Sequence, residues 1–175
     1  INSSSGAQLR GIYLLNQDAG TLNHIYLTGM EVSNVNSEQV SGNSRYYGGV
    51  YFEVLGGTTP SKWNDLLIRN CNFHDISRTA LSWNSSWEVR SSTSTFGQSL
   101  PNGYTDNWVP STNIVIRSNT FQHVSGNGLI IRVATGALVE TNYFNYCGEQ
   151  ISGNAAFCFN TDGTVFQYNE AENTI

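Results

Sequence analysis

Asp75 and His123 are two side chains that could perform acid–base chemistry together. They occupy the same position in two copies of a repeated pattern, each two residues after a phenylalanine (Phe73 and Phe121). A carboxylate beside an imidazole can orient the ring and raise its pKa, which suits a general acid or base. A structural hydrogen bond between neighbouring turns is the alternative, and the sequence leaves both open.

A second group of side chains could bind or cleave a polar chain. Alternation along predicted strands turns three of them to the same side, with others in reach: Glu53, Asn84 and Arg132, then Arg78, Glu88, Tyr104 and Asp106. Two carboxylates across a groove can cleave a glycosidic bond. An arginine with a carboxylate-neutralising partner could instead run β-elimination on a uronate, although lysine is scarce. A solvated face with scattered charge is the alternative.

A third group consists of aromatic rings that could stack on sugars. Tyr51 points outward from a predicted strand, and Trp87, Tyr104 and Trp108 lie on one long segment. Exposed aromatic rings suit the apolar faces of sugar rings. The alternative is that the long segment folds back and buries its rings. Both can hold if the segment forms one wall of a groove.

A repeated unit of about 23 residues carries these groups. Residues 116–121 (IRSNTF) return as residues 139–144 (VETNYF), and residues 68–73 (IRNCNF) fit the same frame. A second short strand also recurs, as in residues 129–133. Short strands and turns at this period predict an all-β solenoid, a parallel β-helix of about five to six coils.

Strand alternation predicts which side chains stack in columns from coil to coil. The two outward columns are Tyr13, Tyr51, Ser82, Ile130 and Phe157, then Glu53, Asn84, Arg132 and Phe159. Asn119, Asn142 and Asn169 recur at a turn and predict a ladder of side-chain amides. Two longer spacings predict loop insertions near residues 33–49 and 84–111, and solenoid insertions often lie on the binding face.

The repeated text resembles a known family. The segments LLIRNCNF, IVIRSNTF, LVETNYF and VFQYNEA, with the turns SGNG and SGNA, are similar to right-handed parallel β-helix proteins of the pectin-lyase-like superfamily. The resemblance is closest to the secreted β-helix repeat proteins of bacterial polysaccharide utilisation. It implies a right-handed coil. It does not select a reaction, because this scaffold hosts lyases, hydrolases, epimerases and non-catalytic adhesins.

Composition limits the partners and the compartment. Charged residues make up 12% of the chain and the net charge is −5, which argues against a nucleic-acid partner. No apolar run reaches the length of a membrane span, which argues against a membrane partner. Low charge with Asn-rich turns fits a secreted protein, extracellular or periplasmic.

The three cysteines leave the disulfide state open. Cys71 falls at the turn position of the asparagines, whereas Cys147 and Cys158 fall at inward positions. Burial as small hydrophobes is favoured over a Cys147–Cys158 disulfide. Their spacing matches no zinc pattern, and the sequence requires no cofactor, so we predict no metal site and leave Ca²⁺ open.

Residues 1–175 are predicted to form a single β-helix domain. Neither end offers an obvious cap, and solenoids need caps for solubility. We therefore expect part of a longer chain or of an assembly, with end-to-end association through uncapped coils; a processed chain is the alternative.

The residues and the resemblance together predict a carbohydrate-active enzyme whose partner is a polysaccharide or glycan, a glycoside hydrolase rather than a polysaccharide lyase. The predicted roles are Glu53, Asp75 and Asp106 as acid and base carboxylates, His123 as partner of Asp75, Arg78 and Arg132 as substrate clamps, and Tyr51, Trp87, Tyr104 and Trp108 as stacking platforms. The alternative is a non-catalytic module that binds glycans, adheres or joins an extracellular assembly. Two carboxylates about 5–10 Å apart across one groove would favour the enzyme.

Overall fold

The computed structural model describes residues 10–36, 46–90, 107–151 and 153–174. In these ranges the chain winds through five coils of three strands each. Coil 1 contains β1 (Arg10–Gln17), β2 (Thr21–Thr28) and β3 (Glu31–Val35); coil 2 contains β4 (Gly48–Leu55), β5 (Lys62–Arg69) and β6 (Asn72–Ile76). Coil 3 contains β7 (Thr79–Ser85), β8 (Ser111–Arg117) and β9 (Thr120–Val124). Coil 4 contains β10 (Leu129–Thr135), β11 (Leu138–Glu140) and β12 (Tyr143–Cys147); coil 5 contains β13 (Ala156–Asp162), β14 (Val165–Gln167) and β15 (Glu170–Glu172).

Each strand pairs in parallel with the strand at the same position in the next coil, which gives the solenoid three faces. Face A contains β1, β4, β7, β10 and β13; face B contains β2, β5, β8, β11 and β14; face C contains β3, β6, β9, β12 and β15. Faces A and B join where β10 also pairs with β8. The predicted all-β parallel β-helix is confirmed. In the described ranges no helix has the length and apolarity to cross a membrane.

The strands of face C were not predicted as strands. The sequence assigned their aromatic segments to turns, but β6, β9 and β12 are regular five-residue strands. The fourth residue of each has a positive φ, for example 53° at Asp75 and 50° at His123. This left-handed residue interrupts the alternation, so the second and fifth residues both point inward and the period of two disappears.

The core fills the space between the three faces, and its columns follow the predicted register. On face A, Val50 aligns with Leu81 and Leu81 with Leu129, and all three are buried. Inside face C, the Phe121 ring stacks between Phe73 and Phe144, with centroids 4.9 and 4.8 Å apart. Side chains of the same type therefore stack from coil to coil and fix the register of the solenoid.

The predicted asparagine ladder lies at the corner between faces B and C. Asn142 accepts hydrogen bonds at Oδ1 from the backbone N–H and side-chain amide of Asn119 (3.0 and 2.9 Å). Its own amide donates to the carbonyl of Ile116 and to Asn169 Oδ1 (3.0 and 2.9 Å). Cys71 takes the equivalent place in coil 2, as predicted, and its backbone N–H donates to Asn119 Oδ1. Buried backbone groups that the corner would leave unpaired are thereby satisfied.

Two long connections lie between β3 and β4 and between β7 and β8, and they are shorter than the predicted insertions 33–49 and 84–111, whose ends belong to these strands. The described ends of the second insertion pair with each other: the N–H of Val109 donates to the carbonyl of Trp87 at 3.1 Å. All three cysteines are free, so the Cys147–Cys158 disulfide is not formed. Cys158 aligns with Ile131 in the inward column, yet it is exposed in coil 5 whereas Cys147 is buried.

Candidate functional site

The outward side of face A carries a row of polar side chains across coils 2 to 4. Glu53 aligns with Asn84 on the neighbouring strand, and Asn84 accepts a hydrogen bond from Arg132 Nη1 on the strand beyond it. An apolar residue stands at each end of the row: Leu15 in coil 1 is 40% exposed and Phe159 in coil 5 is 54% exposed. The predicted column is confirmed, and we call these five residues the face A row.

Two phenols hold the Glu53 carboxylate. The Tyr13 hydroxyl donates to Oε2 at 2.5 Å, and the Tyr51 hydroxyl donates to Oε1 at 3.3 Å. Burial, and then the hydrogen bond and charge of Glu53, raise the pKa of Tyr13 to about 12. Burial and the same carboxylate charge raise the pKa of Tyr51 as well. Both phenols therefore stay protonated and keep donating to Glu53 across the physiological range.

Arg132 is not placed to clamp a substrate, which corrects the prediction. The residue is only 3% exposed, and its guanidinium lies 4.9 Å from the centre of the Phe159 ring. Nη1 donates to Asn84, and Nη2 donates to Glu88 Oε2 at 2.8 Å. The buried cation therefore holds the Glu88 carboxylate, which keeps 40% of its side chain exposed above the row.

Two of the predicted stacking platforms are covered. Tyr51 is 1% exposed because Tyr13 stacks on it at 5.9 Å and Tyr46 packs edge-on at the same distance. Trp87 is 7% exposed and belongs to the hydrophobic core. The prediction that these two rings offer a free face to a sugar is wrong in this structure. Both rings are packed against other parts of the protein instead.

Trp108, another predicted stacking platform, is half-buried. The Arg90 guanidinium covers one side of its ring, 3.7 Å from the ring centre, and also pairs with Asp162 at 3.1 Å. A platform role for Trp108 stays a prediction. Tyr104 and Asp106 lie outside the described residues, so their predicted roles stay predictions too.

Asp75 cannot work with Glu53 across one groove, which corrects a second prediction. Glu53 lies in β4 on face A, whereas Asp75 lies in β6 on face C. Asp75 and His123 are neighbours in the register of β6 and β9, as expected, but they do not pair with each other. Asp75 accepts from His74 Nδ1 at 2.7 Å, and His123 Nδ1 contacts Glu149 Oε1 at 3.3 Å.

Asp75 and His123 nevertheless open into one cleft, of about 230 Å³. Its polar lining comes from Asp75, Ser77, His123, Ser125, Glu149 and Gln150. Glu149 was missed because it follows β12 in a turn rather than standing in a predicted column. The only signal in the sequence is its place next to Gly148, whose φ of 87° starts that turn. We call this the face C cleft.

Arg78 lies at the corner between β6 and β7, with a φ of 77°. Its N–H donates to Ser125 Oγ at 2.8 Å and its carbonyl accepts from the N–H of Gly126 at 2.9 Å. The backbone of Arg78 thus joins coils 2 and 3, and a substrate contact by its side chain stays a prediction. The described ranges bring no three His, Cys, Asp or Glu side chains together as metal ligands, and the question of Ca²⁺ stays open.

Comparison with known proteins supports the fold. No family model and no curated protein matches the chain. Two crystal structures of a GH136 lacto-N-biosidase from Eubacterium ramulus, the native protein and a selenomethionine derivative, are similar to it with TM-scores of 0.68 and 0.66. Sequence identity is 19% in both, and each match covers 93% of this chain but only 33% of the lacto-N-biosidase chain. At that identity the likeness establishes a shared β-helix fold.

Proposed function

We propose that this chain is a carbohydrate-active β-helix that hydrolyses a glycosidic bond at the face A row. The observation that carries the proposal is the presence of two fixed, partly exposed carboxylates, Glu53 and Glu88, along one row of side chains. Two strand spacings separate Glu53 from Arg132, about 10 Å between backbones, and Arg132 holds Glu88. Glu53 and the guanidinium that holds Glu88 therefore lie on the same side of face A, and paired carboxylates on one surface are what glycosidic hydrolysis requires.

The partners of the two carboxylates suggest their roles. Glu88 pairs with the permanent charge of Arg132, so we assign it the part that needs a carboxylate, activation of water or direct attack. Within the described ranges, Glu53 accepts hydrogen bonds from the neutral phenols of Tyr13 and Tyr51 and from no cation, so we assign it the general acid–base role: it takes up a proton and then transfers it to the leaving oxygen. Asn84 and the exposed Phe159 would contact the sugar on either side of the cleaved bond.

The resemblance in the sequence extends the proposal to substrate and compartment. We propose a secreted protein of the pectin-lyase-like β-helix class that acts on an oligosaccharide or polysaccharide. The solved lacto-N-biosidase favours hydrolysis over elimination, since its name describes release of a disaccharide by hydrolysis. The burial of Arg132 also disfavours elimination, because this guanidinium cannot reach the carboxylate of a uronate.

The experiment is incubation of the chain with oligosaccharides that end in lacto-N-biose and with plant and algal polysaccharides. Reducing ends and the absorbance of unsaturated uronates are both measured. We expect reducing ends without absorbance, and a loss of kcat by about 10²–10⁴ in Glu88→Gln. Glu170→Gln in β15 is the matched control and should leave the rate unchanged. Absorbance would identify a lyase. No change in either readout would contradict the proposal that the chain is an enzyme.

A second candidate is a module that joins an assembly by stacking coils. Phe166 of coil 5 aligns with the fully buried Val139 in an inward column, yet it is 42% exposed. Exposed apolar side chains of this kind offer a surface on which a coil of another chain can stack. Sedimentation at rising protein concentration tests this candidate. A larger species that disappears in Phe166→Glu would support it, and a concentration-independent monomer would reject it.

A further inference from the structure

The face C cleft is a built site and not a gap between loops. The turn that carries Glu149 is fixed to coil 3, because the N–H of Gly148 donates to the carbonyl of Val124 at 2.9 Å. The N–H groups of Gln150 and Ile151 both donate to the carbonyl of Ser125, at 3.2 and 2.9 Å. Asp75 and His123 stand on the neighbouring strands β6 and β9. The polar groups of the cleft therefore keep fixed relative positions.

In each carboxylate of the cleft, one oxygen already has an imidazole partner. Asp75 Oδ2 is taken by His74 Nδ1, and Glu149 Oε1 by His123 Nδ1. Within the described part of the chain, no hydrogen bond engages Asp75 Oδ1, Glu149 Oε2 or His123 Nε2. The cleft thus presents two acceptor oxygens and one ring nitrogen toward its open space. A ligand that matches them supplies at least two neighbouring donors.

The carboxylates of the cleft already have imidazole partners. Imidazoles already face both carboxylates, and His74 also contacts Glu31 at 3.1 Å from its second nitrogen. An ammonium group would have to compete with these rings, whereas sugar hydroxyls add donors without charge. The His123 ring stacks on Tyr146 at 5.1 Å with an interplanar angle of 9°, and Tyr146 is 40% exposed. The His123 ring of this stack also lines the cleft, where it can contact a sugar ring.

We propose that the face C cleft binds a neutral hexose unit through two adjacent hydroxyls, which donate to Asp75 Oδ1 and Glu149 Oε2. The volume of about 230 Å³ suits one ring rather than a chain. Because the cleft lies on face C, this secondary glycan site works without the face A row. Its test therefore needs no catalytic turnover and is separate from the test of the proposed hydrolysis.

Histidine NMR provides the test, because the chain has only three histidines. Ring signals of ¹⁵N-labelled protein are followed while methyl β-galactoside or methyl β-glucoside is added. We expect the signals of His123 to shift saturably with at least one of the two sugars. The signals of His24, which lies in β2 on face B, should stay in place.

Variants assign the contacts. Glu149→Ala should weaken the binding at least tenfold, and Asp75→Asn is the second variant if Glu149→Ala does not fold. Glu170→Ala is the matched control, a carboxylate of face C away from the cleft, and should bind like the parent. No saturable shift of His123 with either sugar would overturn the proposal. Equal shifts of His24, or a response to methylammonium without any to the sugars, would overturn it too.

Discussion

The face A row and the face C cleft both consist of polar side chains on the outside of the solenoid, but different partners hold their carboxylates. In the face A row, Glu53 is bound by two phenols and Glu88 by a guanidinium that is almost fully buried. In the face C cleft, Asp75 and Glu149 have imidazole partners and open on one side to solvent.

The difference shows what a solenoid needs in order to make a preorganised site. Phenols with a raised pKa and a buried arginine are donors that do not change with pH near neutrality. The cleft has imidazole donors instead, and the hydrogen bonds to Asp75 and then Glu31 raise the pKa of His74. Fixed donors suit chemistry at a carboxylate, whereas titratable partners with open acceptors suit reversible binding.

The largest predicted effect is on the catalytic rate, and it should distinguish the face A row from the face C cleft. Glu53→Gln removes the proton donor of the face A row, so we expect kcat to fall by about 10²–10⁴. Asp75→Asn changes only the face C cleft and should keep the rate within about twofold. Initial rates on the substrate found for the parent protein measure both. Similar losses in the two variants would contradict the assignment of catalysis to face A.

Removal of the buried cation should affect both stability and rate. Arg132→Met leaves Glu88 and Asn84 without their donor, so we expect the free energy of unfolding to fall by about 2 kcal/mol. The rate should fall at least tenfold, because Glu88 loses its orientation. Arg117→Met is the control on face B. Arg117 is half-buried, with 42% of its side chain exposed, and lies 3.5 Å from Glu140, so its loss should cost less than about 0.5 kcal/mol. Urea titration compares the two, and equal midpoint shifts would contradict the prediction.

The phenol that donates to Glu53 gives a smaller effect with its own pH signature. Tyr13→Phe removes one hydrogen bond to a carboxylate, so kcat/KM should fall about three- to tenfold. The folded pKa of Tyr13 is raised to about 12, so its contribution to stability is present below its ordinary pKa and is lost as the pH rises toward that value. Tyrosinate absorbance should show one late-titrating phenol fewer in Tyr13→Phe than in the parent, in which the pKa values of Tyr51 and Tyr143 are raised too. Tyr146→Phe on face C is the control and should change neither readout.

The smallest effect concerns His74 on face C. The hydrogen bond to Asp75, and then that to Glu31, raise the pKa of His74. The charged ring stabilises the fold fully below the unfolded pKa of about 6.5, and this stability is lost as the pH rises through the raised folded value. NMR titration should give His74 a pKa above the ordinary imidazole value of about 6.5. A His74 signal that titrates at or below the ordinary value would contradict the prediction.

The sequence is informative about the coil because the coil is a local, repeated object. The match between residues 116–121 and 139–144 predicts the strands of face B, and simple alternation predicts the columns of face A. The asparagine ladder also follows from the repeat, since Asn119 and Asn142 must satisfy the same corner in successive coils. The strands of face C escape prediction because a left-handed residue hides their period.

The sites are less predictable, because strand alternation gives the direction of a side chain but not the residues that cover it. Alternation turns Tyr51 and Arg132 outward correctly, yet both are buried by partners far away in the sequence. For Arg132 the partner is Glu88, 44 positions away, and no repeat relates the two. Glu149 depends on a turn that occurs once. Contacts made by insertions and single turns carry no periodic signal.

The asparagine ladder gives the solenoid a direction in which it should come apart. Amide side chains link coil 2 to coil 3, coil 3 to coil 4 and coil 4 to coil 5 at this corner. Between coils 1 and 2 the same place is held by the thiol of Cys71, which makes only a long contact of 3.5 Å with the carbonyl of Leu27. At this corner, coils 1 and 2 should therefore separate first under mechanical load along the axis. The ladder would then still hold coils 2 to 5 together there.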